Sequence, residues 1–133
     1  MLVYSDSVIL IYFFDHTGPL HGRAVGRMSA LRTAGELVAV SDLTRLECRM
    51  KPIRLGNAAA LALFDGFFAQ PDVRLVPITT AVFERATVIG ATHKFTLADS
   101  LHLAAAVEAG CDRFLTNDHR LSAFTDIAVE VLP

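Results

Sequence analysis

The sequence predicts a single α/β domain with a largely parallel central sheet and helices packed around it. Short apolar runs of strand length alternate with longer segments of helical periodicity along the chain. That order is typical of parallel sheets joined by right-handed crossovers. The length of 133 residues fits one domain over residues 1–133, because compact domains usually contain about 100–150 residues.

The composition is apolar for a monomeric domain. Apolar residues make up 53% of the chain, charged residues only 20%, and the mean hydropathy is +0.44. Such a composition indicates a sheet covered on both faces, an apolar surface that meets a partner, or both. The net charge of -2 and the pI of about 6.2 give no overall sign of nucleic-acid binding, which usually comes with a basic surface.

The chain opens with a strand, an acidic residue and a helix. Residues 2–5 favour a strand, and Ser5 or Asp6 can cap a helix over residues 7–14. An amphipathic helix is predicted over residues 20–33, where apolar side chains recur at three- and four-residue steps.

The middle of the chain repeats this order of strand and helix. Residues 37–40 are a bare apolar run of strand length, and an N-cap after them opens a helix to about Met50, which we expect Pro52 to close. A strongly apolar helix over residues 57–69 then leads to a third strand over residues 73–76.

The last part of the chain adds two helices and two strands. Thr79 caps the first of these helices, and residues 96–99 match a capping-box variant that opens an alanine-rich helix ending at Gly110. Residues 113–116 form a fourth strand. Residues 127–132 alternate in polarity and are expected to form an edge strand.

Four carboxylates fall near the carboxyl ends of these strands, where sites form in parallel sheets. Asp6 and Asp118 directly follow two strands. Glu47 sits in the helix after a third strand, and Asp99 lies in the first turn of the helix before the fourth strand. Each acid alone has an ordinary explanation as a helix cap or a surface residue. Together they are expected to converge at one edge of the sheet.

A cluster of four carboxylates needs compensating positive charge. Two carboxylates about 4 Å apart repel by roughly 4 kcal/mol at an effective dielectric constant of about 20, so the cluster must hold protons, basic side chains or cations. Oxygen ligands suit hard divalent ions, and no Cys/His ligand set is present, so one or two Mg²⁺ or Mn²⁺ ions are the natural occupants. Such ions can activate water for attack on a phosphodiester, which predicts a nuclease.

Several neighbours of the acids have two interpretations. Ser7, Thr116 and Asn117 either orient metal-bound waters or serve the local turns. His102 lies one helical turn after Asp99 and either borders the pocket or, as we favour, is a partly buried side chain bonded to backbone.

The two cysteines, Cys48 and Cys111, show neither metal-ligand nor redox spacing, which favours a reduced, cytoplasmic protein. No apolar run is long enough to span a membrane, and no signal peptide is recognisable. Cys48 follows Glu47 but lacks a histidine in a catalytic arrangement, so we do not expect a thiol nucleophile.

Four sequence blocks carry a family resemblance that extends from Val3 to Leu121. They are V-Y-S-D-S-V-I-L-I-Y at Asp6, S-D-L-T-R-L-E-C-R at Glu47, L-A-D-S-L-H-L-A-A-A at Asp99 and F-L-T-N-D-H-R-L at Asp118. In this order the blocks resemble the PIN-domain ribonucleases and, more narrowly, the toxins of VapBC-type toxin-antitoxin pairs. The combination of four blocks is far more specific than any one of them.

The resemblance implies a PIN-like three-layer sandwich whose central, largely parallel sheet of four to five strands is flanked by helices. It also implies Mg²⁺- or Mn²⁺-dependent cleavage of RNA, a homodimer, and silencing by a small VapB-type antitoxin. It puts four residues at the family's acidic positions and a fifth at its small hydroxyl position, in the order Asp6, Glu47, Asp99, Asp118 and Thr116.

One position departs from the family pattern. Val8 stands where the family commonly has Asn or Ser, close to the first acid. The alternative function is therefore a catalytically impaired PIN-like module that binds RNA or a partner. A phospho-acceptor receiver or an aspartate-nucleophile phosphatase is a more distant alternative, since such proteins usually have paired acids after the first strands.

Two parts of the chain are candidates for partner surfaces. One consists of basic residues that form either a rim for RNA phosphates or, as we slightly favour, a solvated helix face: Arg45, Arg49, Lys51 and Arg54. The other consists of aromatic residues that form an antitoxin groove or dimer contact, or simply pack in the core: Phe64, Phe67 and Phe68.

Overall fold

The computed structural model describes residues 1–133 and contains five strands, six α-helices and one 3₁₀-helix. The strands are β1 (Leu2–Ser5), β2 (Leu37–Ser41), β3 (Val73–Val76), β4 (Arg113–Thr116) and β5 (Ala128–Val131). The α-helices are α1 (Ser7–Phe14), α2 (His21–Thr33), α3 (Asp42–Arg54), α4 (Ala58–Phe68), α5 (Thr80–His93) and α6 (Leu97–Glu108). The 3₁₀-helix covers His119–Ala123.

All neighbouring strands pair in parallel, in the order β3-β2-β1-β4-β5. The chain moves outward from β1 to β3 and then crosses back to β4 on the other side, so the strand order reverses between β1 and β4. In parallel sheets a crevice opens at the carboxyl ends of the strands where the order reverses. Asp6 directly follows the central strand and therefore lies at this crevice. The predicted edge position of β5 is confirmed.

Apolar cores on both faces of the sheet produce three layers. Along β1, Val3 faces the core shared with α1–α4, whereas Tyr4 faces the core shared with α5 and α6. This alternation follows from the two-residue repeat of a strand. Two covered faces account for much of the apolar composition, and the predicted α/β sandwich is confirmed.

The aromatic residues of α4 mainly serve the core. Phe64 and Phe67 are buried, and Phe68 packs against the same cluster. Of the two interpretations of these side chains, the structure supports core packing. None of the helices is both long and apolar enough to cross a lipid bilayer.

The prediction that Pro52 closes its helix is wrong, since α3 continues to Arg54. Proline lacks the N–H that in an uninterrupted helix would bond the carbonyl four residues earlier, and its ring crowds that carbonyl. Pro52 is buried in the last turn of α3, and that turn is closed beyond it by the Leu55 N–H, which donates to the Lys51 carbonyl over 3.0 Å. A single missing hydrogen bond so close to the end does not stop the helix.

Candidate active site

The four predicted acids lie in one open cleft at the carboxyl edge of the sheet. Asp6 comes from the end of β1, Glu47 from α3, Asp99 from the first turn of α6, and Asp118 from the turn after β4. The cleft is lined by these four acids together with Ser7, Val8, Ile11, Tyr12, Asn117, His119 and Arg120. The structure thus brings Asp6 and Asp118, which are 112 positions apart in the chain, into the same cleft.

Asp6 is the most deeply held of the four acids, with 8% of its surface exposed. Its Oδ1 accepts a hydrogen bond from the Ser7 N–H over 2.8 Å, which makes it the N-cap of α1. Its Oδ2 accepts from the Thr116 hydroxyl, also over 2.8 Å. Burial raises the pKa of Asp6 above its ordinary value, and the nearby Asp99 adds to this effect against the opposing influence of His102 and Thr116.

Glu47 is held through one of its two carboxylate oxygens. Its Oε1 accepts from the Ser7 hydroxyl over 2.9 Å and lies 2.5 Å from His102 Nε2. No hydrogen bond reaches its Oε2. Burial alone would raise the pKa of Glu47, but the hydrogen bond and charge of His102 outweigh burial and hold that pKa below its ordinary value. Glu47 therefore stays ionised with one oxygen free.

Asp118 and Asp99 are held more loosely. Asp118 caps the 3₁₀-helix, and its carboxylate makes a two-pronged ion pair with Arg120, with Nη2 to Oδ2 at 2.6 Å. Hydrogen bonding from Arg120 lowers the pKa of Asp118. The Arg120 side chain is 73% exposed, and ion pairs in such surroundings contribute little to stability, so the pair is easily displaced. The Asp99 carboxylate has no hydrogen bond or ion pair.

In this arrangement of the side chains, no group of three or more His, Cys, Asp or Glu residues is close enough together to hold a metal ion. Three of the four acids are bonded to partners within the chain: Thr116 and Ser7 for Asp6, His102 for Glu47, and Arg120 for Asp118. The repulsion between the acids is thus relieved by internal donors and by one guanidinium.

Ser7 and Thr116 contact the acids directly. Besides donating to Asp6, the Thr116 hydroxyl accepts a hydrogen bond from the Asp118 N–H over 3.1 Å. Asn117 instead donates to the Tyr12 hydroxyl over 3.3 Å at the cleft wall. Whether these three predicted supporting residues orient metal-bound water stays a prediction. Val8 lines the same wall and packs partly against the core.

His102 differs from its favoured interpretation. The ring is 1% exposed, and its hydrogen-bond partners are side chains rather than backbone groups. Nδ1 lies 2.7 Å from the Tyr4 hydroxyl, and Tyr4 also lies 2.9 Å from Ser41 Oγ. The prediction of backbone bonding is therefore wrong. A tyrosine inside an otherwise apolar strand was the available signal, because its buried hydroxyl needs a partner.

The remaining candidates are less informative. Arg45 pairs with Asp42 at 3.0 Å and Arg49 pairs with Asp65 at 2.8 Å on the surface of α3, as the favoured interpretation of a solvated helix face expects. Contact of these residues with RNA phosphates stays a prediction. Burial raises the pKa of the Cys48 thiol to about 12, in line with the expectation that it is not a nucleophile.

A second, apolar groove opens beside Glu47. It lies between α1, α3 and α4 and is lined mainly by Ile11, Phe14, Leu55, Leu63 and Phe64, with Lys51 among its few charged residues. Leu55 and Leu63 are exposed there. The acidic cleft and this groove share Ile11 and Glu47, so a ligand in one lies next to the other.

The parallel sandwich and its cleft of four acids define a class of α/β proteins with an acidic site at the carboxyl end of the central strand. The family model of the PIN domain matches residues 3–127, so the chain belongs to the PIN-domain family.

Solved structures share this fold at low sequence identity. One is the structure of VapBC2 from Rickettsia felis bound to a DNA fragment from its promoter, with a TM-score of 0.82, 11% identity and 100% of both chains covered. Another is DNA-bound VapBC from Salmonella typhimurium, with a TM-score of 0.79, 16% identity and 100% of both chains covered. A third is Mycobacterium tuberculosis VapC20, described as a Sarcin-Ricin loop cleaving toxin, with a TM-score of 0.75, 17% identity and 95% and 98% coverage of the two chains. A search of curated proteins returns no match.

Proposed function

We propose that the protein is a metal-dependent endoribonuclease that acts as the toxin of a VapBC-type toxin-antitoxin pair. The observation that carries the proposal is the meeting of four carboxylates in one open cleft of a PIN domain. The similarity in fold to a toxin described as cleaving the sarcin-ricin loop supports RNA as the substrate class.

The donors in the cleft fit a hard divalent cation. All four acids offer oxygen, and the Asp99 carboxylate and Glu47 Oε2 have no competing hydrogen bond. We propose Mg²⁺ or Mn²⁺, as one or two ions, held by Asp6, Glu47, Asp99 and Asp118. When bound, the metal would supply an activated water and neutralise charge on the departing oxygen.

The chain's own residues prepare the cleft for this role. Thr116 and the Ser7 N–H fix both oxygens of Asp6, so that this buried acid keeps one orientation. Asp118 is released when its exposed pair with Arg120 opens, which leaves the guanidinium beside the cleft and free to bind an RNA phosphate. Ser7 and His102 keep Glu47 turned toward the cleft.

We further propose that the apolar groove beside Glu47 takes a helix of a VapB-type antitoxin. Exposed Leu55 and Leu63 give an amphipathic helix an apolar surface, and its position would bring the antitoxin to the cleft. Leu63→Glu is expected to abolish co-purification of the antitoxin, whereas Val88→Glu, at an exposed position on α5, is not. Equal co-purification with both variants would count against the groove.

A homodimer is also part of the proposal. Leu46, Met50 and Ile53 are exposed and follow each other at helical spacing along one side of α3. Such an apolar stripe favours contact with a second copy. Light scattering of the purified chain is expected to give twice the monomer mass of 14.4 kDa, and a monomer at all concentrations would contradict this.

The central experiment is cleavage of RNA by purified protein free of antitoxin. We expect cleavage with Mn²⁺ and its loss with a chelator, and we expect Asp99→Asn to abolish both cleavage and growth inhibition. Asp126→Asn is the matched control, because Asp126 is an exposed acid outside the cleft. If wild-type protein cuts no RNA and Asp99→Asn inhibits growth like the wild type, the enzyme proposal is wrong.

One specific observation still favours the alternative of a catalytically impaired module. Val8 on the cleft wall offers no polar group near Asp6. RNA binding without cleavage would favour this alternative. The phospho-acceptor alternative has lost support, because the chain belongs to the PIN-domain family.

A further inference from the structure

We propose that Tyr4 and His102 are positioning residues that fix the Glu47 carboxylate from inside the fold and so tune divalent-metal affinity. This inference rests on the proposed metal-dependent function. Neither side chain reaches the cleft itself, since both are fully buried behind it.

A continuous line of hydrogen bonds joins the protein interior to Glu47. It runs from Ser41 Oγ to the Tyr4 hydroxyl over 2.9 Å, from that hydroxyl to His102 Nδ1 over 2.7 Å, and from His102 Nε2 to Glu47 Oε1 over 2.5 Å. The four side chains come from β2, β1, α6 and α3. The line therefore ties the orientation of Glu47 to the centre of the sheet.

Each step of the line joins a donor to an acceptor. Ionised Glu47 only accepts, so His102 Nε2 must carry a hydrogen. The Tyr4 hydroxyl donates to Ser41 Oγ, and its oxygen lies within hydrogen-bond distance of His102 Nδ1. Burial raises the pKa of Tyr4 far above its ordinary value, so its hydroxyl remains a donor at neutral pH. Every polar group in the line is satisfied, as burial requires.

The Tyr4 hydroxyl is the only hydrogen-bond partner of His102 Nδ1 and therefore fixes the orientation of the ring. The Tyr4 ring also stacks on Phe114, with ring centres 5.4 Å apart, so the hydroxyl has little freedom to move. With Oε1 fixed by His102 and Ser7, Glu47 Oε2 is left for a metal ion. Loss of such a supporting contact typically costs about 10- to 100-fold in metal affinity.

The test is Mn²⁺ binding to the purified full chain by isothermal titration calorimetry. We expect Tyr4→Phe, which removes only the hydroxyl, to weaken binding by about 10-fold or more. In a Glu47→Gln background, adding Tyr4→Phe is expected to cause no further loss, because its effect passes through Glu47. Ser100→Ala is the matched control: Ser100 Oγ is a buried hydroxyl of α6 without a hydrogen bond, and its removal is expected to leave Mn²⁺ affinity unchanged.

A second measurement needs no metal. Long-range ¹H–¹⁵N NMR spectra of the metal-free wild type are expected to show a hydrogen on His102 Nε2 that exchanges slowly with water, because this buried nitrogen donates to Glu47, and Tyr4→Phe is expected to speed that exchange. A His102 Nε2 without a hydrogen in the wild type would overturn the inference even if Tyr4→Phe does not fold.

The outcomes separate this inference from the function on which it rests. Unchanged Mn²⁺ affinity in Tyr4→Phe, or an equal loss with and without Glu47, overturns the positioning role while the metal-dependent function stands. If wild-type protein binds no Mn²⁺, both the metal-dependent function and the tuning of metal affinity fail.

Discussion

At the scale of single residues, Asp6 combines two roles in one carboxylate. It caps α1 through Oδ1, and it lies in the cleft with three other acids. From the sequence the cap and the site are competing explanations, but one carboxylate both caps α1 and lines the cleft. The hydrogen bonds around His102 were beyond sequence reasoning, because its partners Tyr4 and Glu47 come from distant parts of the chain and meet only when the sheet and helices assemble.

The burial of Asp6 predicts a pH-dependent cost in stability. Its pKa is raised in the folded protein, so folding favours the protonated form. Between the unfolded pKa of about 3.9 and the higher folded pKa, stability falls as pH rises, and above that window the cost is fully present. Asp6→Asn is therefore expected to raise the urea unfolding midpoint of the metal-free protein at pH 7 and to have little effect below about pH 3.5.

This prediction is checked by urea unfolding of both proteins in EDTA across that pH range. Asn can keep the cap, because its carbonyl accepts from the Ser7 N–H and the Thr116 hydroxyl can turn to accept from its amide. A variant that is less stable than wild type at pH 7 would show that the ionised carboxylate stabilises the fold instead.

At the scale of elements, most helices and strands follow from local patterns, whereas their ends depend on context. Thr79 and Thr96 were identified as caps from sequence, and each accepts the expected hydrogen bond, from the N–H of Val82 and of Asp99. The misplaced end of α3 arose at Pro52, where tertiary burial and the closing bond beyond it decide the outcome. Local sequence rules give the energetic cost of a proline inside a helix, but they do not reveal the tertiary burial that offsets this cost.

The cap of α6 links element stability to the site. Thr96 Oγ1 accepts from the Asp99 N–H over 3.1 Å, so Thr96→Ala is expected to cost about 1 kcal/mol of stability and to loosen the turn that carries Asp99. Thr79→Ala removes the equivalent cap of α5, over 3.3 Å, and is expected to lower stability similarly. Only the Thr96 variant should bind Mn²⁺ more weakly in calorimetry. A similar loss in both variants would mean that the effect is general destabilisation.

At the scale of the whole molecule, the parallel sheet was predictable but its strand order was not. Alternation of strands and helices favours parallel pairing, yet it leaves open on which side of β1 each later strand lies. The observed reversal between β1 and β4 gathers acids from four elements into one cleft. The high apolar content is likewise explained only once the structure shows that both faces of the sheet are covered and that an apolar groove lies beside the cleft.

Binding of a divalent cation by the four acids of the cleft is proposed above. Anomalous diffraction from crystals soaked in Mn²⁺ would show such an ion and its ligands. We expect an anomalous peak about 2.0–2.3 Å from carboxylate oxygens of Asp6 and Asp99, with Arg120 moved away from Asp118. Crystals of the Asp99→Asn variant should lack the peak. A well-ordered cleft without a peak in the wild type, or a peak bound only by residues outside the cleft, would rule out the proposed metal site.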